Sequence, residues 1–223
     1  MDPILTLAVV LPCFFAAGVL LQAAFARFGI GEFTSLLVTF GLTLIIESAI
    51  QWVWTADFRR LHAAAYEGAS FKIGPLFMPL VELLVLLTAI ALSWLTWAWL
   101  HFTYIGKAMR ASAEDPQIAA AFGVNHRRLA LLLSGLSAAY AGVAGVFVAL
   151  IYTLAPAQIY AWIGVVFAAV IIGGLGNPLG LLAAGLLIGV SEALTMALTA
   201  PAWAPLVSFS LLILVLLLRP QRI

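Results

Sequence analysis

Several polar side chains stand inside long apolar stretches of this chain, and three of them are candidates for a function. Glu47 and Gln51 are four residues apart in one stretch, and Glu192 lies in another. A charge at the centre of a bilayer costs at least about 2.5 kcal/mol on insertion scales, so such groups normally face the protein interior or water. These residues are therefore candidates for lining a polar path or for binding a substrate ammonium. The alternative is that each glutamate is partly protonated and bonded to a neighbouring helix, or that it snorkels to the membrane surface.

The same inventory gives little support for catalysis. An active site needs carboxylates or histidines that converge, yet Glu47, Glu82, His101 and Glu192 are isolated and lack an HExxH-type spacing. Cys13 is the single cysteine, which excludes an internal disulfide and a Cys-based metal cluster. The sequence predicts no catalytic residues, no metal site and no enzyme, with an intramembrane enzyme as the alternative of a different class.

Composition sets the fold class that must position these groups. Of the 223 residues, 65% are apolar and only 9% are charged, and the mean hydropathy is +1.18. Soluble domains carry about 25% charged residues. The formal net charge of +1 argues against a nucleic-acid partner. We predict an all-α, polytopic membrane bundle forming a single domain over residues 1–223.

Apolar segments long enough to cross a bilayer give about seven predicted transmembrane helices. In one long segment, 160–199, a helix break is predicted from Gly173, Gly174, Gly176, Asn177 and Pro178, because proline disfavours helix before it and glycines permit a tight turn. The half before the break is short, and a re-entrant conformation is an alternative to a full span. The predicted helices are Ile4 to about Phe25, Phe33 to about Thr55, Leu76 to about Phe102, Leu129 to about Tyr152, the two halves of 160–199, and Trp203 to about Leu218.

The basic residues predict the orientation. With loop 103–128 in the cytoplasm, seven of the ten Lys and Arg residues fall inside, which obeys the positive-inside rule. We therefore expect a multi-pass protein of the bacterial inner (plasma) membrane, with an external N-terminus and a cytoplasmic C-terminus. The inside set is Arg27, Lys107, Arg110, Arg127, Arg128, Arg219 and Arg222, and the outside set is Arg59, Arg60 and Lys72.

Small residues predict where the helices pack closely. Gly135, Ala138, Gly142 and Gly145 recur on one face of the fourth helix, and Gly185 with Gly189 forms a GxxxG pair. Lipid provides no hydrophobic drive between helices, so close backbone approach must hold a bundle together. We interpret both sets as intramolecular packing, with a dimer seam as the alternative.

The loop at 103–128 is the one long polar interval. Asp115 followed by Pro116 predicts a helix start, because proline at the first helical position also pushes Asp115 into the extended dihedrals of an N-cap. Gly123 predicts a left-handed stop, and a second helical run is predicted upstream, from Gly106 to Glu114. Alanines at 111, 113 and 119–121 would leave one smooth surface for docking on another protein. An amphipathic hairpin on the membrane surface is the alternative.

This loop resembles a known family. Residues 106–115 (GKAMRASAED) and 119–125 (AAAFGVN) are similar to the coupling loop of permease subunits of branched-chain amino-acid ABC importers. The later segment 167–180 (FAAVIIGGLGNPLG) resembles that family's glycine-rich break, and 185–192 (GLLIGVSE) continues the match. The resemblance covers roughly residues 30–222, and two motifs stand in the correct order.

The resemblance implies an importer subunit that moves branched-chain or related amino acids into the cytoplasm. Cytoplasmic ATPases would dock on Arg110, Ala113, Glu114, Asp115 and Gly123. A second permease subunit and an extracytoplasmic binding protein would complete the transporter. The chain itself would hold no cofactor, because ATP would be bound by the partner and the sequence contains no GxxxxGK[ST] phosphate loop.

Two alternatives remain within the same resemblance. Permeases for urea or short-chain amides share these motifs. The family also has about two further helices before the segment that resembles the first helix here, so a truncated remnant that assembles without transporting is a further expectation.

Overall fold

The chain folds into nine helices and one short hairpin over the residues that its computed structural model describes, which are 3–55, 57–58, 70–73, 76–156, 159–198 and 203–218. The predicted all-α polytopic bundle is confirmed. Its elements are α1 (Pro3–Phe28), α2 (Glu32–Trp54), β1 (Ser70–Ile73), β2 (Leu76–Pro79), α3 (Leu80–Phe102), α4 (Tyr104–Glu114), α5 (Pro116–Ala121), α6 (His126–Ile151), α7 (Ile159–Gly173), α8 (Pro178–Leu198) and α9 (Ala204–Leu218).

Seven of these helices are apolar, and five are long enough to cross a membrane. The five are α1, α2, α3, α6 and α8, whose spanning parts contain 21 to 26 residues. Helices α7 and α9 contain 15 residues each. At 1.5 Å per residue, each is about 22 Å long, shorter than the roughly 30 Å hydrocarbon core. A full span by α7, as opposed to a re-entrant conformation, stays a prediction.

A two-stranded hairpin precedes α3, and it corrects a predicted boundary. The third helix was expected to begin at Leu76, but Leu76–Pro79 is strand β2, paired antiparallel with β1 from Ser70↔Pro79 to Ile73↔Leu76. Helix α3 begins at Leu80. Hydropathy does not distinguish an apolar strand from an apolar helix, and Pro79 disfavours helix at the residue before it.

Two units of contacting elements are present. One contains α1, α2, the hairpin, the start of α3, and α4 to α6; the other contains α3 from Leu86 onward and α7 to α9. The predicted single domain over 1–223 stays a prediction. Four of the basic residues used for orientation, Arg59, Arg60, Arg219 and Arg222, lie outside the described residues, as does Thr199 at the end of a predicted span.

The first unit is held together by the close packing of α1 on α6. A Cβ at Gly135 would lie 2.7 Å from Phe15 Cε2, and one at Gly142 would lie 2.9 Å from Phe14 Cγ. The packing predicted for these two glycines is confirmed, because only glycine lets the α1 aromatics approach this backbone. Gly145 is different, since nothing described lies within 4 Å of the position that a Cβ would occupy there.

The second unit packs α7, α8 and α9 around small residues. Ala168 of α7 is fully buried, and Ala184 and Ile188 of α8 are 3% exposed. A Cβ at Gly164 of α7 would lie 2.6 Å from the Phe209 ring of α9. Gly185 lies off this packed face together with Gly189: both are exposed, and nothing described lies within 4 Å of either Cβ position. The intramolecular packing predicted for this pair stays a prediction.

The predicted helix break between α7 and α8 is confirmed. Gly174 and Gly176 have φ of +84° and +78°, a region that side chains other than glycine rarely adopt. Asn177 caps α8, with its Oδ1 accepting a 3.1 Å hydrogen bond from the Gly180 amide, and Pro178 is the first helical residue. A Cβ at Gly180 would overlap the carbonyl oxygen of Gly173. The break is thus a tight turn that requires glycine on both sides.

Candidate functional site

Asp115 separates α4 from α5 and starts α5 as predicted. Its Oδ1 accepts hydrogen bonds from the amides of Gln117 at 2.9 Å and Ile118 at 3.0 Å. Its backbone is extended, with φ of −146°, and Pro116 occupies the first turn of α5. A helix of only six residues has little intrinsic stability. The capping carboxylate and the proline therefore fix where it begins.

Gly123 ends α5 as predicted, with φ of +85°. The Val124 amide donates to the Ala119 carbonyl at 3.1 Å, and the Gly123 amide donates to the Ala120 carbonyl at 2.9 Å. These two bonds form a Schellman motif, which satisfies carbonyls that the helix end leaves free. The chain reverses here within a few residues.

Helix α6 then begins directly at the end of the loop. Asn125 caps it, with Oδ1 accepting from the Arg128 amide at 3.1 Å. The His126 Nε2 lies 2.7 Å from the carbonyl oxygen of Pro116. Neither contact was predicted from the sequence, although Asn before a helical run is an N-cap signal.

The residues assigned to docking all lie on the outside of the helix pair. Arg110, Ala113, Glu114, Asp115 and Gly123 are exposed. The inner side of the pair consists of Gly106, Met109 and Ala119, which are buried. Ala119 was expected on a smooth docking surface, and that expectation was wrong: α5 packs on α4, so Ala119 becomes 3% exposed.

A shallow cleft of about 400 Å³ lies between α4 and α5. Lys107, Glu114 and Asp115 contribute charges, and Ala111, Ile118 and Phe122 contribute apolar surface. Phe122 and Tyr104 are each 82% exposed. An exposed aromatic residue next to charges of both signs is typical of a surface that a partner covers. Phe122 and Tyr104 were not among the predicted docking residues, because the sequence does not show that these two aromatic side chains are exposed.

Glu47 and Gln51, the first pair assigned to a polar path, contact each other on α2. Gln51 Nε2 donates to Glu47 Oε1 at 3.2 Å. The pair continues a series of polar residues at four-residue spacing that was not predicted from the sequence: Ser35, Thr39 and Thr43. The hydroxyl of Thr39 donates to the Ser35 carbonyl at 2.9 Å, and that of Thr43 to the Thr39 carbonyl at 2.9 Å.

This α2 polar stripe consists of residues 35, 39, 43, 47 and 51. Ser35, Thr39, Thr43 and Glu47 are half-buried, and Gln51 is exposed. Many large apolar side chains of α2 are exposed, among them Phe33, Leu36, Leu37, Phe40 and Ile45. In a helix of 3.6 residues per turn each step of four residues turns by about 40°, so the stripe winds around α2 by about 160° and places polar groups along most of its length.

Glu192 lies at the edge of the packed face of α8. It is half-buried, as are Ser191 and Thr195, and the Thr195 hydroxyl donates to the Ser191 carbonyl at 2.8 Å. Glu192 follows the buried Ile188 by four residues and the exposed Gly185 by seven, so its helix position falls between a covered and an open part of α8. Glu47 and Glu192 belong to different units, and their predicted sharing of one path stays a prediction.

The residues considered for catalysis do not form a cluster on their helix. Glu82 is in the first turn of α3 and His101 in the last, where its ring stacks on Trp97 with centroids 4.9 Å apart. Within the described part of the chain, no group of three or more His, Cys, Asp or Glu side chains is arranged to hold a metal ion.

A family model matches nearly the whole length of the chain. Residues 1–216 match the family described as the branched-chain amino acid transport system, permease component. The chain belongs to this family. This permease-family chain is a multi-pass membrane protein, as its apolar helices also indicate.

Individual relatives agree with the family. The high-affinity branched-chain amino acid transport system permease protein LivH of Salmonella typhimurium is 38% identical over 126 residues, which is 56% of this chain and 41% of LivH. LivH of Escherichia coli K12 is 37% identical over the same shares. A probable LivH of Methanocaldococcus jannaschii is 35% identical over 131 residues, 56% of this chain and 42% of that protein. The alignments thus span about two-fifths of these relatives, and no solved structure matches the chain.

Proposed function

We propose that this chain is a permease subunit of an ABC importer that moves branched-chain or related amino acids into the cytoplasm. Partner ATPases dock on loop 103–128 and drive transport. The observation that carries the proposal is the capped, outward-facing α4–α5 pair in a chain of this family. The family is a transport family, which favours a non-enzyme.

The shape of the pair supports a docking role. Caps at Asp115, Gly123 and Asn125 fix both ends of α5 and the start of α6. A short helix that is already fixed loses less conformational entropy on binding than a flexible loop. Arg110, Ala113 and Glu114 stand exposed on α4, so a partner groove can contact both helices.

The α2 polar stripe supports a role in translocation. An amino acid carries an ammonium and a carboxylate, and both require polar partners while they cross the hydrocarbon region. Glu47 supplies a carboxylate for the ammonium, and the hydroxyls of Thr39 and Thr43 supply neutral donors and acceptors. Glu192 on α8 is the second carboxylate that we assign to the path.

Three partners follow from this proposal: cytoplasmic ATPase subunits, a second permease subunit, and an extracytoplasmic binding protein. The chain needs no cofactor of its own, because the ATPases bind ATP. We place it in the bacterial inner membrane with loop 103–128 in the cytoplasm and the hairpin 70–79 outside. This orientation follows the distribution of Lys and Arg.

Co-purification tests the docking role directly. Glu114→Arg reverses a charge on the exposed side of α4 and is expected to abolish capture of the ATPase while membrane insertion stays intact. Asp57→Arg is the matched control, since Asp57 is exposed in the segment between α2 and the hairpin, outside the proposed docking surface. ATPase capture that is equal for both variants would refute docking on this loop.

Transport and orientation need separate measurements. Uptake of radiolabelled leucine and of urea into proteoliposomes containing all partners distinguishes amino-acid from amide transport. For orientation, a membrane-impermeant maleimide is expected to label Asp57→Cys from outside and Glu114→Cys only in opened cells. Both variants need a Cys13→Ser background, because Cys13 is exposed. The reverse labelling pattern would contradict the proposed orientation.

A further inference from the structure

The bond between His126 and Pro116 joins the starts of α5 and α6, two helices that residues 122–125 also connect. His126 is the first residue of α6, and Pro116 is the first residue of α5. The two atoms, His126 Nε2 and the Pro116 carbonyl oxygen, are 2.7 Å apart. Because a carbonyl only accepts hydrogen bonds, Nε2 must carry the proton and donate it. The bond therefore ties the start of α5 to the start of α6.

At the other end of α5, only four residues separate it from α6. Residues 122–125 link α5 to α6, and the amides of Phe122, Gly123 and Val124 all donate to carbonyls of α5, at 3.3, 2.9 and 3.1 Å. Asn125 turns the other way and caps α6. The end of α5 is therefore fixed by its own turn and by the four-residue link to α6, and the His126 bond is what holds the beginning of α5 to the start of α6.

Helices α4 and α5 belong, by their contacts, to the unit that contains α6. Helices α4 and α5 share a unit with α1 and α6, whereas α3 from Leu86 to its end belongs to the other unit. This division falls between Thr103 and Tyr104, directly before α4. From the order of helices along the chain alone, the α4–α5 pair would be expected to associate with α3 as much as with α6.

Helix α6 in turn packs closely against α1. Ser134 Oγ on α6 donates to the Gly18 carbonyl of α1 at 3.0 Å, and Gly135 and Gly142 admit Phe15 and Phe14 against the α6 backbone. Close-packed helix pairs of this kind move as rigid bodies more readily than they slide. A displacement of α6 will therefore carry α1 with it.

We propose that His126 is a positioning residue that makes α5, α6 and α1 move together, because its hydrogen bond keeps the start of α5 from turning about the 122–125 link when the ATPase moves. The inference rests on the proposed docking of ATPases on loop 103–128. It assigns His126 to force transmission after docking, and neither to the docking surface nor to the path.

The test compares His126→Ala with His126→Gln in the assembled transporter in proteoliposomes. Glutamine places an amide nitrogen close to the Nε2 position and retains the donor, and alanine removes it. Ser137→Ala, at an exposed residue of α6 beyond loop 103–128, is the control for a change elsewhere on the same helix. For each variant we would measure ATPase co-purification, ATP hydrolysis, uptake per ATP hydrolysed, and hydrogen exchange of the α5 amides.

The expected result separates coupling from assembly. His126→Ala retains ATPase binding and hydrolysis but loses about five- to tenfold in uptake per ATP, the scale of one intramolecular hydrogen bond. Its α5 amides exchange faster by a similar factor, and His126→Gln restores both values. Ser137→Ala behaves as the wild type does.

Other outcomes overturn the proposal. Unchanged uptake per ATP in His126→Ala would refute transmission through this bond, and equal losses in His126→Ala and His126→Gln would refute the role of the donor. Loss of ATPase binding in His126→Ala alone would place the residue in docking instead. If the wild-type chain failed to bind the ATPase, the proposed function itself would be refuted. Measuring the wild-type chain on its own distinguishes this outcome from an effect of the substitutions.

Discussion

Ser134 on α6 donates a hydrogen bond from its Oγ to the carbonyl oxygen of Gly18 on α1, at 3.0 Å and 116 residues apart in the chain. The helices come this close because Gly18 has no side chain: a Cβ there would lie 2.6 Å from the Cβ of Ala138. In a membrane, where dispersion and hydrogen bonds replace the hydrophobic drive between helices, such close approach is the main source of stability.

Gly18→Val is expected to separate α1 from α6. The added side chain overlaps Ser134 and Ala138, and overpacking of this kind costs about 1–3 kcal/mol. Thermal unfolding in detergent should show a lower midpoint. Gly145→Ala is the control, because nothing described lies within 4 Å of its Cβ position, and it should leave the midpoint unchanged. Equal midpoints for both variants would contradict the packing described for Gly18.

Asp115→Ala is expected to loosen the start of α5. The substitution removes the acceptor of the Gln117 and Ile118 amides, and loss of an N-cap costs about 1 kcal/mol. Hydrogen exchange at residues 117 and 118 should accelerate by about fivefold, the equivalent of that energy. Asp115→Asn keeps a capping oxygen and should retain the protection. If the asparagine variant exchanged as fast as the alanine variant, charge and not capping would be the role of Asp115.

Glu47→Gln is expected to reduce uptake without affecting assembly. It removes the carboxylate of the α2 polar stripe and keeps the size of the side chain, and a hydrogen bond to a charged group is worth about 1.5–3 kcal/mol. Uptake of leucine into proteoliposomes should fall at least about tenfold. Ser48→Ala, one residue away and off the stripe, is the control. Full uptake by Glu47→Gln would remove Glu47 from the path.

Gly180→Ala is expected to disrupt the turn between α7 and α8. Its Cβ overlaps the carbonyl oxygen of Gly173 and would lie 2.9 Å from Asn177 Nδ2, so the Asn177 cap must shift. Faster hydrogen exchange at the start of α8 is the readout. Gly185→Ala on the same helix has open space around its Cβ and should leave exchange unaltered. Protection equal to that of the wild type in Gly180→Ala would show that the turn tolerates a side chain.

Local features were predictable where a few neighbouring residues decide the conformation. The cap at Asp115, the stop at Gly123 and the break at Gly173–Pro178 all follow from backbone rules that act over three or four positions. The start of α3 was missed because Leu76–Pro79 pairs with Ser70–Ile73. Hairpin pairing is a contact between segments, and an apolar run alone does not indicate it.

In the α4–α5 pair, too, some features were predictable from the sequence and others depend on packing. Exposure of Arg110, Ala113 and Glu114 was predictable from their place in a polar loop, but burial of Ala119 depends on how α5 packs on α4. Among the glycines, Gly135 packs against Phe15 while Gly185 has open space, although both stand in similar small-residue patterns. A pattern gives the face that a residue occupies, and only the neighbouring helix decides whether that face is covered.

The sequence by itself determined the membrane class, the number of apolar helices, the capped loop and the family resemblance, because hydropathy, capping and turn chemistry act locally along the chain. Only the tertiary structure decided that α6 packs on α1 and that α5 is tied back to α6 through His126 and Pro116. Those contacts join residues 10 and 116 positions apart, and their geometry depends on how whole helices meet.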